Sequence, residues 1–73
     1  MIEEIRIAVH NAALINQKTA MFHFQVLRNA TVLEGIDPIA FCHDIGVPVT
    51  YKTEFRKMLS LARIMRQLGA RLA

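Results

Sequence analysis

Five residues punctuate this chain and thereby set its architecture. Its glycines and prolines fall at Gly35, Pro38, Gly46, Pro48 and Gly69, so residues 1–34 and 51–68 run without either. Stretches of that length without a breaker belong to helices unless a two-residue alternation argues otherwise. Such alternation exists in Ile5, Ile7, Val9 and in Phe22, Phe24, Val26. Helix is nevertheless expected over both, because Ala, Gln, Met and Leu surround them and no hairpin turn lies between. Ile2, Ile5, Val9 and Ala12 or Ala13 also fit a 3.6-residue period, with Glu3 and Glu4 at the positive end of the helix dipole. Short polar side chains near Asn16–Thr19 compete for backbone hydrogen bonds and predict a break there. A second helix is then expected from Gln17 or Thr19 to Leu33. It would bury Ala20, Phe24 and Leu27, or else the neighbouring Phe22 and Val26.

The second half of the chain is more explicit. Gly35 can take the left-handed conformation that closes a helix. Asp37-Pro38 reads as a start, since Asp accepts from free N–H groups and Pro is pre-shaped for the first helical position. A short helix from Pro38 to Ile45 follows, with Ile39, Phe41, Cys42 and Ile45 expected inward and Gly46 closing it. Pro48 keeps Val47 out of the helical region. Thr50 is the expected cap of the last helix, with Thr53 or Glu54 completing a capping interaction. From Tyr51 to Leu68 the chain is amphipathic. Tyr51, Phe55, Met58, Leu59, Ala62, Met65 and Leu68 form its apolar side, while Lys52, Arg56, Arg63 and Arg66 fall within an arc of about 80°. The expectation is an all-α fold: one domain over residues 1–73, a small bundle of about four helices.

A chain of 73 residues buries only about 60% of its extended surface, which leaves no room for a catalytic domain beside the core. Cys42 is the only cysteine, so no internal disulfide can form. An unpaired thiol fits a reducing compartment; Glu3 and Glu4 close to Met1, and the polar residues that interrupt every apolar run, predict neither a spanning helix nor a secretory leader. A cytoplasmic protein with no membrane association is expected. The net charge of +3 is unevenly spread. Residues 1–46 hold three cations against five anions, net −2, whereas residues 47–73 hold six cations against one anion, net +5. That asymmetry points to an anionic partner for the C-terminal third.

Two helices joined at a tight turn, the second of them basic, form the pattern by which many small proteins address DNA. In the spacing of Phe41, Cys42, Ile45, Gly46, Val47 and Phe55, residues 38–57 resemble the helix-turn-helix regulators. Cys42 is small enough for close helix approach, and Gly46 suits a turn with positive φ. Pro48 in or after the turn and Lys52 in a usually apolar slot depart from the pattern. A longer turn, with the second helix beginning at Thr50, accommodates both. The resemblance implies a transcriptional regulator binding double-stranded DNA. Thr50, Tyr51, Lys52, Thr53 and Arg56 would approach the major groove, and Arg63 and Arg66 would contact phosphates. Lys57, away from the basic arc, is expected to be an ordinary surface charge. Because one short recognition helix spans few base pairs, a homodimer is implied as well.

An opposing reading uses the same helix as a protein-binding surface. Tyr51, Phe55, Met58, Leu61, Met65 and Leu68 make a wide face, and methionine suits surfaces that must adapt. The partner would then belong to the transcription machinery, such as the RNA polymerase bound by small phage-type inhibitors. Enzymatic function is not expected. Ser60, the only serine, has no nucleophile elbow around it, and Glu3, Glu4 and Glu34 lie at predicted helix ends as dipole partners. His10, His23, Cys42 and His43 have none of the close ligand pairs of zinc modules, so no metal or other cofactor is anticipated. His10 and His23 are expected at the edge of the core, and Cys42 within it.

Overall fold

The computed structural model describes residues 1–70; Arg71, one of the cations counted above, lies outside them. Among the described residues there are five helices and no strands: α1 Ile2–Ala13, α2 Lys18–Arg28, α3 Ala30–Leu33, α4 Pro38–Ile45 and α5 Tyr51–Gln67. Residues 5–9 and 22–26 are helical. Glu3 and Glu4 occupy the first turn of α1, and Glu3 accepts a hydrogen bond from Arg6. Asn16, with φ of 61°, turns the chain between α1 and α2. Asn is one of the few residues that tolerates this region.

The fifth helix arises because the expected second helix does not reach Leu33 unbroken. At Asn29 the backbone leaves helical geometry (φ −106°, ψ 17°). Its side-chain amide donates to the Gln25 carbonyl at 2.8 Å, a back-bond that distorts helices. Of the two possible stripes on α2, the structure buries Phe22 and Val26. Phe24 is exposed, Ala20 is exposed and Leu27 is half-buried.

In α4 the expected signals appear as geometry. The Asp37 carboxylate accepts from the Ala40 N–H at 2.9 Å, and Pro38 fills the first turn. Gly46, at φ 82°, ends the helix, with the Gly46 and Val47 N–H groups donating to the Cys42 carbonyl at 3.0 and 3.1 Å. Phe41, Cys42 and Ile45 are buried, whereas Ile39 faces solvent. Ile39 sits about 200° around the helix from Phe41, too far to share its side.

Four helices form a closed ring of neighbours: α1 packs on α2 and α4, and α5 packs on the same two. Across the centre Phe22 and Phe41 meet edge to face at 5.9 Å, and Phe41 lies 4.7 Å from Phe55. One apolar cluster joins them to Ile5, Val9, Val26, Ala30, Leu33, Cys42, Ile45, Val47, Leu59 and Ala62. Burial pushes the Cys42 thiol pKa up. The cross-links Thr19–Tyr51, His23–Glu54 and Glu34–Arg63 advance together along both segments. The α2–α3 segment and α5 therefore run in the same direction.

Candidate nucleic-acid interface

The turn between α4 and α5 is held from three sides. Val47 is buried beneath it, and Phe41 and Phe55 join the two helices in the core. From α1, His10 Nε2 lies 3.0 Å from the Ile45 carbonyl oxygen and donates to it in its Nε2–H form. A Cβ at Gly46 would stand 3.1 Å from that same nitrogen. Glycine is favoured there by its positive φ, and an added Cβ would crowd the imidazole by a few tenths of an ångström. Pro48 needs no partner for its missing N–H, while its carbonyl accepts from Tyr51 N at 3.0 Å and opens α5.

Thr50 departs from the expected capping role. Its backbone is already helical (φ −58°, ψ −22°), and its side chain makes no cap hydrogen bond. An N-cap hydroxyl reaches the following N–H groups from an extended backbone, not a helical one. Glu54 is not free to cap either. It accepts from His23 at 2.7 Å and lies 3.7 Å from Lys57 Nζ. The His23 hydrogen bond holds the Glu54 carboxyl below its ordinary pKa, with Lys57 adding to the effect.

The side chains singled out from the sequence do not form one surface. Thr50, Thr53 and Arg56 are exposed. Thr53 and Arg56 share an open groove with Lys57, Ser60, Leu61 and Ile64 on the outer side of α5. Tyr51 is half-buried, its ring edge-on to Phe22 at 5.0 Å and its hydroxyl 2.9 Å from Thr19 Oγ1. Lys18 stands over that ring, 5.3 Å from its centre. Lys52 is half-buried. Arg63 donates to the Glu34 carboxylate, and Arg66 lies 3.8 Å from it. These two arginines tie α5 to the residue after α3 and keep about half of their side-chain surface in solvent.

Sequence reasoning set Lys57 aside, yet it stands in the outward groove between Thr53 and Ile64. The signal was present on the helical wheel, where Lys57 lies roughly opposite Phe55, the most buried residue of α5. His10 and Glu34 were also missed as positioning residues, because their partners are 35 and 29 residues away. Neither histidine is enclosed: His10 is exposed and His23 half-buried.

The outward face of α5 carries hydroxyls and cations along one side. α5 is 17 residues long, about 25 Å, and the B-DNA major groove is about 12 Å wide. In helix-turn-helix proteins it is the N-terminal residues of the second helix that approach the base edges. The N-terminal half of α5 presents hydroxyls and cations outward, at the positive end of the helix dipole. Its one acid, Glu54, is held by His23 and Lys57.

Among the described residues no group of three or more His, Cys, Asp or Glu side chains converges as metal ligands. No helix among them is long and apolar enough to cross a membrane. No curated protein and no solved structure matches the chain. A protein-family model described as an HTH-like domain matches residues 1–67. It thus covers the α1–α3 scaffold together with the α4–turn–α5 pair, and the chain belongs to the family of HTH-like domains.

Proposed function

We propose that this protein is a non-enzymatic, cytoplasmic transcriptional regulator that places the N-terminal half of α5 in the major groove of double-stranded DNA. The observation that carries this reading is the outward row of Thr53, Arg56, Lys57 and Ser60 on a basic helix fixed behind a latched turn. Arg56 is the principal DNA contact, since Arg donates to guanine edges and to phosphates, and Lys57, 3.7 Å from Glu54, adds a second cation beside it. Thr50 and Thr53 supply hydroxyls beside them. Tyr51 and Lys52 seat the helix and touch the backbone at its edge. Arg63 and Arg66 contribute less, because Glu34 already engages them. A pair of copies on adjacent half-sites extends the few base pairs that one helix reads.

Binding of random and genomic duplexes across a salt series tests the proposal. Arg56→Ala and Lys57→Ala should each reduce the slope of log K against log salt by about 0.9, the contribution of one neutralised phosphate. Folded protein that binds no duplex at low salt overturns the reading. Sedimentation of the DNA complex gives the number of copies.

A further inference from the structure

The same helix carries a second apolar row on the side turned away from the core. Leu61 and Ile64 in α5 and Leu68 at its C-cap, expected on the core side but exposed, follow at helical spacing with 40%, 51% and 79% of their surface in solvent. With Lys57 they occupy an arc of about 60°, opposite the buried Phe55, Leu59 and Ala62. Once a surface helix has buried one stripe, folding gives no reason for another. Leu61 and Ile64 floor an open groove of about 440 Å³, walled at its other end by Arg56 and Lys57. The apolar row lies beyond the half proposed to face DNA, whereas Arg56 and Lys57 belong to both surfaces.

Area and charge together select the occupant. The three side chains leave on the order of 300 Å² exposed, far short of the roughly 800 Å² that each partner of a stable interface buries. A second copy held by this row alone would be too weakly joined. It would also bring Arg56 and Lys57 against further cations, since the only acid of α5 is Glu54, which His23 and Lys57 engage. A short helix suits a surface of this size as a weak, transient contact, and acidic flanks supply the missing sign.

We propose that Leu61, Ile64 and Leu68, with Arg56 and Lys57 beside them, form a docking surface for a short amphipathic acidic helix of a partner protein. Apolar side chains of that helix, repeating every three or four residues, seat on the row. Its Asp or Glu residues pair with Arg56 and Lys57. The surface exists whether or not the N-terminal half of α5 binds DNA.

The test is fluorescence anisotropy of a labelled amphipathic peptide of roughly five helical turns, with Leu on one face and Glu on both flanks, titrated with the full chain without DNA. A second peptide carries Lys in place of every Glu. The acidic peptide should bind, with the Lys peptide weaker by about tenfold or more. Leu61→Ser with Ile64→Ser should weaken the acidic peptide about tenfold, while Leu14→Ser, at an exposed leucine just after α1, leaves it unchanged. Circular dichroism of each variant confirms folding, which these exposed positions should not disturb. An acidic peptide that does not bind, a Lys peptide that binds equally well, or a double variant with full affinity overturns the proposal. So does sedimentation showing a dimer that the double variant dissolves, which would assign the row to a second copy. Duplex binding measured on the double variant should persist; its loss in Arg56→Ala bears on the DNA reading alone.

Discussion

Replacing Gly46 by alanine probes the turn that aims α5, and its effect divides into two parts. The first is conformational: at φ 82° a residue with a Cβ is destabilised by about 1–2 kcal/mol. The second is steric. The new Cβ stands 3.1 Å from His10 Nε2, so the ring must move, and its 3.0 Å contact to the Ile45 carbonyl lengthens or breaks. A hydrogen bond of this kind contributes about 0.5–1.5 kcal/mol net. Gly46→Ala should therefore destabilise the fold by roughly 1.5–3.5 kcal/mol, which for a domain this small lowers Tm by about 4–8 °C per kcal/mol. Urea unfolding with an unchanged m-value measures it. The decisive measurement is a double-mutant cycle with His10→Ala. Without the imidazole the steric part vanishes, and Gly46→Ala should then be worth only about 1–2 kcal/mol. Equal effects of Gly46→Ala in the two backgrounds would refute the latch, and a total below about 0.5 kcal/mol would refute the conformational argument too.

Three further outcomes are expected. Phe55→Ala removes a fully buried ring that contacts Phe41 at 4.7 Å and should destabilise by about 3–5 kcal/mol, read by calorimetry or urea. For Glu54, whose pKa is lowered in the fold chiefly by the His23 hydrogen bond, the stabilisation is present above the unfolded-state pKa. It is lost as pH falls through the depressed folded value, so acid unfolding curves of wild type and His23→Ala should converge as the medium is acidified. The buried Cys42 thiol, its pKa raised by desolvation, should react with a thiol reagent only as fast as the core opens, and mild urea should accelerate the reaction in step with unfolding.

Much of the fold could be read from punctuation. Gly35, Asp37-Pro38 and Gly46 act through their own backbones, so the limits of α4 were available without knowing what packs on it. The turn near Asn16 was legible for the same reason. Asn29 was not, since an asparagine breaks a helix only when its amide chooses the Gln25 carbonyl over solvent. Phe22 and Phe24 lie on opposite sides of α2, and the choice between them depends on where Phe41 arrives from α4. The interface divides likewise. Arg56 is outward because of the period of α5 alone. Arg63 and Arg66 are engaged because Glu34 is delivered to them by a different part of the chain. Thr50 does not cap because its own backbone is already helical, the turn having opened with the Tyr51 N–H donating to the Pro48 carbonyl.

From Tyr51 to Gln67 α5 runs without a glycine, a proline or a kink, and it is clamped at both ends, to Thr19 near its start and to Glu34 near its finish. Thr53 and Ile64 lie about 16 Å apart on one helical axis, so the two ends of α5 cannot be aimed separately. The angle at which α5 presents Arg56 is therefore set along its whole length, by the Thr19 and Glu34 cross-links as well as by the turn.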